Sequence, residues 1–133
     1  MNTIPRMYII DDDLMSLGLI ERLVKHSGLV KSNYCFQDHI VALASIEGIH
    51  IVNPQKTIIL LDIKMPEMNG FEFINKLKSK SFYDEDSFEV VLLSGHRDLP
   101  NIINAFNKEI EVFLTKPLNK EKLNDLIFQS EFV

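Results

Sequence analysis

The sequence predicts an α/β protein in which helices cover both faces of a buried, doubly wound parallel sheet. Short apolar runs, each bounded by polar or turn residues, alternate along the chain with segments of helical periodicity. Apolar runs of this kind are typical of strands that are buried on both faces. Unbroken strand–helix alternation produces parallel sheets with right-handed crossovers. We therefore expect five parallel strands and five helices.

The first half of the chain contains two predicted strands and two predicted helices. Residues 7–10 form the first strand, and the leucines and isoleucines after it have the spacing of an amphipathic helix that stops at Gly28. Asp13 lies just before this helix and is a good N-cap. Residues 33–36 form a weaker second strand, and residues 40–46 a second helix.

The second half of the chain repeats the same alternation after an irregular stretch at residues 48–55, for which the sequence offers no functional account. Three further apolar runs predict strands, and three segments of helical spacing predict helices. The strands are residues 57–61, 90–93 and 112–115, and the helices are centred on residues 71–77, 102–106 and 123–127.

Composition and charge exclude several classes of protein. A length of 133 residues suits one domain. The net charge of −5, without a basic stripe, argues against direct nucleic-acid binding. The lone Cys35 excludes an internal disulfide and is expected to be a packed thiol. His26, His39 and His50 lack the spacing of metal ligands and are expected at the surface or within helices. No run has the length of a signal peptide or a membrane span, so we expect a cytoplasmic protein.

Four of the predicted strands end in side chains suited to phosphoryl chemistry. Asp11 and Asp12 follow the first strand, Asp62 the third, Ser94 the fourth and Lys116 the fifth. The carboxyl ends of parallel strands meet at one edge of the sheet, where ligands bind. A strand-end carboxylate such as Asp62 can accept a phosphoryl group as a mixed anhydride. Converging carboxylates favour a hard divalent cation such as Mg²⁺, with Asp12 as a direct ligand and Asp11 acting directly or through water.

Three segments in the expected order resemble the receiver domains of two-component response regulators. They are Leu-Leu-Asp-Ile-Lys-Met-Pro-Glu-Met-Asn-Gly ending at Gly70, Leu-Leu-Ser-Gly ending at Gly95, and Phe-Leu-Thr-Lys-Pro ending at Pro117. The resemblance implies a flavodoxin-like fold with strand order 2-1-3-4-5. It implies that Asp62 is the phosphoacceptor and that Mg²⁺ contacts Asp12, Asp62 and the backbone carbonyl of Lys64. It also implies that Lys116 and Ser94 contact the phosphoryl group and that the Lys116–Pro117 bond is cis.

The same resemblance implies a conformational switch. Ser94 would move toward the phosphoryl group and leave space for the ring of Phe113, which has no hydroxyl to distinguish its two positions by hydrogen bonding. The readout surface would comprise the predicted helix at residues 102–106, the last strand and the last helix. Lys64 and His96 would flank the path of attacking water, so we also expect slow self-dephosphorylation.

The expected roles in signalling follow from this resemblance. We expect a single receiver domain over residues 1–133, without an effector domain, that catalyses only its own phosphorylation and dephosphorylation. A histidine kinase or a histidine phosphotransfer protein would be the donor. The output would be contact with a downstream protein, with no direct role for nucleic acid or membrane, and the chain would be a monomer or a weak homodimer.

Two other readings remain open at this stage. Asp11 and Asp13 have the spacing of the two aspartates in haloacid-dehalogenase-type phosphatases, but the acidic pair that would complete their metal site after Lys116 is missing. That reading also leaves the loop after Asp62 unexplained. A receiver that works without phosphate, as a constant binding module, is the second alternative. Electron transfer of the flavodoxin type is weaker, since no phosphate-binding loop follows the first strand.

Overall fold

The computed structural model describes residues 3–95 and 112–133, which form a parallel sheet with helices on both faces. The strands are β1 (Ile4–Ile10), β2 (Val30–Phe36), β3 (Thr57–Asp62), β4 (Phe88–Ser94) and β5 (Val112–Thr115). The helices in these ranges are α1 (Leu14–Ser27), α2 (His39–Val52), α3 (Gly70–Lys78) and α4 (Lys120–Gln129). The helix expected at residues 102–106 lies outside the described residues.

The strand order β2-β1-β3-β4-β5 is the one that the family resemblance implied. All neighbouring strands are parallel, and Ile10 pairs with Leu61, Asp62 with Leu93 and Ser94 with Thr115. The functional strand ends therefore stand side by side at the carboxyl edge of the sheet.

Two apolar cores lie on opposite faces of the sheet. Along β3, Ile58 and Leu60 pack toward α1 and α4, whereas Ile59 and Leu61 pack toward α2 and α3. All six residues of β3 are buried, as expected for a central strand that is covered on both faces. This central position places Asp62 at the end of a strand that has a neighbour on each side.

Side-chain caps determine where the helices begin. Asp13 accepts a hydrogen bond from the backbone N–H of Met15, which confirms its predicted role as an N-cap. Gly28 has a φ of 66°, so it ends α1 in the left-handed conformation that glycine adopts without strain. Asn69 and Glu72 form a reciprocal capping box at the start of α3.

The stretch at residues 48–55 differs from the irregular segment that its sequence suggested. Helix α2 continues through Gly48 to Val52, and the backbone N–H of the C-cap residue Asn53 donates to the carbonyl of Ile49. The helix is apolar on most of its circumference, so the polar–apolar alternation that marks a surface helix is missing. Packing of Ile46 and His50 against the protein, not periodicity, keeps this part helical.

None of the four helices in residues 3–95 and 112–133 has both the length and the hydrophobicity that a membrane span requires.

Candidate functional site

Three carboxylates converge at the carboxyl edge of the sheet. One oxygen each from Asp11, Asp12 and Asp62 can be chosen so that all three lie within 4.8 Å of one another. Asp11 is fully buried, Asp62 is 8% exposed and Asp12 is exposed. The register of β1 and β3 produces this cluster, because Ile10 and Leu61 are paired neighbours and an aspartate follows each of them.

Lys116 joins the cluster from the far strand of the sheet. Its Nζ lies 2.6 Å from Oδ2 of Asp11 and 3.4 Å from Oδ2 of Asp62. The backbone N–H of Lys116 donates to the carbonyl of Ser94 at 2.8 Å, which fixes the end of β5 against the end of β4. The Lys116–Pro117 bond is cis, as the resemblance implied.

The backbone supplies additional donors to the two buried carboxylates. The N–H of Asp13 donates to Oδ1 of Asp11 at 3.0 Å, so both oxygens of Asp11 are engaged, one by the backbone and one by Lys116. The backbone of Lys64 forms a hydrogen bond with the Asp62 carboxylate. Asp62 therefore keeps a mixed environment: it is desolvated, but one backbone donor and one cation favour its charged form.

Burial and like charge make Asp62 an unusual carboxyl group. Burial raises the pKa of Asp62 to about 6, and the negative charge of Asp11 acts in the same direction, while Lys116 opposes both. Burial alone would lower the pKa of Lys116, but its hydrogen bond to Asp11 and the charge of Asp62 outweigh that effect and raise it. A second cation at this site would relieve the repulsion between the carboxylates that Lys116 only partly balances.

The loop between Asp62 and α3 is closed by a tight backbone contact. The N–H of Gly70 donates to the carbonyl of Ile63 at 2.7 Å. A Cβ built on Gly70 would lie 2.8 Å from Cδ2 of Leu92 and 3.1 Å from the backbone carbonyl oxygen of Asp62. Glu67, inside the loop, has a φ of 69°. The sequence identified this segment as turn-rich, but a string of turn residues does not reveal that Gly70 is needed for close packing against β3 and β4.

Ser94 and Phe113 are the two residues of the predicted switch, and both lie near the carboxyl ends of neighbouring strands. Ser94 is buried at the end of β4, beside the end of β5. Phe113 is half-buried on β5, pairs with Leu92, and its ring centroid lies 6.4 Å from that of Phe71. Sequence reasoning missed Phe71 as the neighbour of Phe113, although its place directly after Gly70 puts it on the first turn of α3. Movement of either switch residue remains a prediction.

Three further residues that the sequence analysis singled out have different outcomes. Lys64 is exposed two residues after the end of β3, and its role beside the site remains a prediction. His96 lies outside the described residues. Asp13 is turned to the start of α1, where Asp13 Oδ1 accepts from Met15. This cap disfavours the phosphatase reading, in which Asp13 would face the reacting group.

The donor set fits a magnesium ion. Carboxylate oxygens are hard ligands, and Mg²⁺ binds through one or two carboxylates together with water and phosphate oxygens. Buried Asp11 and Asp62 and exposed Asp12 provide such ligands within a small space, and the mouth of the cluster at Asp12 is open to water. The backbone carbonyl of Lys64 remains a predicted ligand.

Comparison with known proteins agrees with this geometry. The family model described as response regulator receiver domain matches residues 7–128. The response regulator protein TodT of Pseudomonas putida is 31% identical over 117 residues, which cover 88% of this chain and 47% of TodT. The transcriptional regulatory protein FixJ of Bradyrhizobium diazoefficiens is 24% identical over 127 residues, which cover 96% of this chain and 57% of FixJ. The chain spans about half the length of the curated relatives it matches.

Solved structures share the same fold. A response regulator receiver protein from Dyadobacter fermentans is 29% identical with a TM-score of 0.77, over 94% of this chain and 98% of that protein. A two component response regulator from Cytophaga hutchinsonii is 23% identical with a TM-score of 0.81, over 97% of this chain and 100% of that protein. The strand ends, the acidic cluster and these matches together establish that this chain belongs to the response regulator receiver domain family.

Proposed function

We propose that this chain accepts a phosphoryl group on Asp62 from a phosphohistidine of a histidine kinase or a histidine phosphotransfer protein. The observation that carries the proposal is the convergence of Asp62 with Asp11, Asp12 and Lys116 in a space of a few ångströms. In the transfer, the bond between phosphorus and the donor imidazole breaks and a bond between phosphorus and an Asp62 carboxylate oxygen forms. The imidazole keeps the electron pair and is protonated by solvent.

Each residue of the cluster has a defined task in this proposal. Asp11, Asp12, Asp62 and the backbone carbonyl of Lys64 would hold Mg²⁺. When bound, Mg²⁺ would neutralise charge on the phosphoryl oxygens. The Lys116 ammonium, held 2.6 Å from Asp11, would contact one phosphoryl oxygen as a compact positive charge. Self-phosphorylation and hydrolysis of the acyl phosphate would be the only reactions that the chain catalyses.

The proposed output is a change in the conformation of the surface around β5. Phosphorylation adds roughly 1.5–2 negative charges and new acceptor oxygens at Asp62. The Ser94 hydroxyl would turn toward them, and Phe113 would repack into the space that Ser94 leaves. Because Phe113 lies on β5, the surface formed by the predicted helix at residues 102–106, β5 and α4 would present the signal to a downstream protein.

The proposal takes residues 1–133 as one receiver domain that acts in the cytoplasm, where a phosphorylated histidine donor would meet it. It assigns the output to protein contact. The relatives' names include a transcriptional regulatory protein, and that activity is a property of FixJ itself. The oligomeric state in the proposal is a monomer or a weak homodimer.

Intact-protein mass spectrometry with phosphoramidate as the donor tests the chemistry. We expect one phosphoryl adduct that requires Mg²⁺, disappears in Asp62→Asn and is strongly reduced in Asp11→Asn. Asp13→Asn is the matched control, because asparagine also caps a helix and the adduct should persist. An adduct that survives Asp62→Asn would contradict the proposal. A wild-type protein that forms no adduct, with or without Mg²⁺, would favour the phosphate-independent binding module.

The decay of the adduct tests the proposed protection of the acyl phosphate. A cation at Lys64 and an imidazole at His96 would shield the phosphorus from the line of attack by water. Lys64→Ala and His96→Ala should therefore each shorten the lifetime of the adduct. Lys78→Ala removes an exposed lysine from the end of α3, away from the site, and serves as the control. Equal decay rates in all variants would contradict the role of both side chains.

A further inference from the structure

We propose that the groove between α2 and α3 binds an amphipathic helix of a partner protein whose edge facing α3 carries acidic residues. The groove has a volume of about 430 Å³. It lies away from the β5 surface that the proposed function uses for output. The inference therefore does not depend on phosphorylation of Asp62.

The outer face of α2 is unusually apolar for a helix that meets solvent. Among its 14 residues only Glu47 carries a full charge at neutral pH. Ile40, which lines the groove, is 59% exposed, and Val41, Ile51 and Val52, which lie on the same helix outside the groove lining, are 51% to 85% exposed. A helix on the surface of a globular domain normally carries polar residues on the face away from the core, and contiguous exposed apolar surface marks interaction sites.

The groove has an apolar floor and a low wall on its α2 side. Its floor is apolar, formed by Leu43 and Phe73, both of which are buried. Its α2 wall is low, because Ala44 and Gly48 stand one turn apart there and both are exposed. A Cβ added to Gly48 would meet no atom of the described residues within 4 Å, so none of them requires glycine at a position where alanine is the better helix former. A second backbone that approaches this wall would supply the reason.

The charges on the two rims determine what kind of helix fits. Lys76 on α3 and Lys80, two residues beyond the end of α3, both line the groove on its α3 side, and neither forms an ion pair with any residue that the structure describes. Glu47 lies on the α2 rim. The complementary occupant has apolar residues at the helical i, i+4, i+7 positions, acidic residues on the side of the lysines and a basic or amide side chain toward Glu47.

A concave groove with opposite charges on its two rims favours a helix over a membrane surface. An anionic bilayer is flat and would meet Glu47 as well as the lysines. The part of α2 that lines the groove, residues 39–48 or roughly 15 Å, matches about three turns of a partner helix. Met68, which lines the groove, belongs to the loop between Asp62 and α3, so a bound helix would contact the segment that follows the proposed phosphoacceptor.

Synthetic helical peptides of about four turns test this surface on the full chain. One labelled peptide carries leucines at i, i+4 and i+7 and glutamates along one edge, and its isomer carries lysines in place of the glutamates. By fluorescence anisotropy, the glutamate peptide should bind about tenfold more tightly than the lysine peptide. Lys76→Glu with Lys80→Glu should reverse that preference. Amide chemical shift changes should cluster on α2 and α3.

Neighbouring residues of α2 provide the matched controls. Ile40→Asp places a charge in the groove, whereas Val41→Asp places the same charge on a similarly exposed residue outside the groove lining. Only Ile40→Asp should abolish binding, and Gly48→Gln should weaken it by filling the wall. Circular dichroism of each variant establishes that it is folded.

Four outcomes would overturn the proposal. These are equal affinity for the two peptides, equal loss in Ile40→Asp and Val41→Asp, shift changes away from α2 and α3, and binding of anionic phosphatidylserine vesicles that exceeds peptide binding. Sedimentation that shows self-association, abolished by Ile40→Asp, would make a second copy of this chain the occupant and would likewise contradict the inference. Loss of peptide binding with an intact phosphoryl adduct would leave the proposed function standing.

Discussion

At the carboxyl edge of the sheet the ammonium group of Lys116 meets two carboxylates, whereas near the amino edge the guanidinium group of Arg6 meets a backbone carbonyl. Arg6 is 4% exposed and donates from Nη2 to the carbonyl of Asn53, the C-cap residue of α2. Its Nη1 has no hydrogen-bond partner among the residues that the structure describes. Arg6 is buried and Lys116 is half-buried, and of these two cations Lys116 is the one with carboxylates around it.

The two cations therefore differ in the net charge of their surroundings. The cation of Arg6 lies at the end of α2, where the helix macrodipole is negative and a positive side chain is favourable. Nothing in that arrangement leaves surplus charge for a second ion. At the carboxyl edge, three carboxylates face one lysine, so the local charge remains negative and a divalent cation has a place. The following variants test that contrast.

The largest expected difference is between Lys116→Met and Arg6→Met in metal-free protein. Lys116→Met leaves two buried carboxylates without a cation and should lower the free energy of unfolding by about 3 kcal/mol. Arg6→Met keeps an apolar stem and loses one net hydrogen bond, a cost of about 1 kcal/mol. Urea denaturation measures both values.

Magnesium sharpens the same comparison. Added Mg²⁺ should recover part of the stability that Lys116→Met loses, because it neutralises the same carboxylates, and should not help Arg6→Met. Equal costs for the two variants, or recovery of both by Mg²⁺, would show that the two edges do not differ as described.

An intermediate effect on stability is expected from two glycine substitutions, one beside Asp62 at the carboxyl edge of the sheet and one in α2. Gly70→Ala should destabilise the protein by about 2 kcal/mol, because the new methyl group would overlap Leu92 and the backbone beside Asp62. Gly48→Ala should instead stabilise it by roughly 0.5–1 kcal/mol, since its methyl group meets nothing and alanine favours the helix. Thermal unfolding distinguishes the two signs, and stabilisation by Gly70→Ala would contradict the tight contact.

The smallest expected effect is a pH dependence that originates near the amino edge. Burial lowers the pKa of His50, and the positive charge of Arg6 adds to this, while Asp84 opposes it. The His50 ring packs 4.6 Å from that of Phe88. Since the folded protein binds this proton less readily than the unfolded chain, stability should decrease as the pH falls through the unfolded pKa of about 6.5.

Two histidine variants isolate this contribution. His50→Gln should reduce the loss of stability on acidification, and His26→Gln, which replaces an exposed histidine in the last turn of α1, is the comparison variant. Unfolding free energies between about pH 7.5 and 5.5 provide the measurement. If both variants have the same pH dependence as the wild type, His50 does not titrate as described.

The sequence by itself determined the strand ends, because buried strands are short apolar runs and the polar residue after each run is visible in the printed chain. Asp62 and Lys116 were identified in this way, and so was the cap at Asp13, which depends on neighbours only two residues away. The sequence interpretation ended the second helix at residue 46 and treated residues 48–55 as irregular, which was wrong, because α2 continues to Val52 without the polar periodicity on which such predictions depend.

Only the tertiary structure decided which partners the buried charges have. Lys116 lies closer to Asp11, 105 positions away in the chain, than to Asp62, and no local pattern encodes that choice. Local patterns also do not encode the close contact of Gly70 with Leu92, the hydrogen bond of Arg6 at the end of α2 or the groove beside Gly48. Local signals depend on backbone preferences over a few residues. Contacts between distant segments depend on how whole strands and helices pack. They are set by strand register and by the shapes of the packed side chains, which exist only in the folded chain.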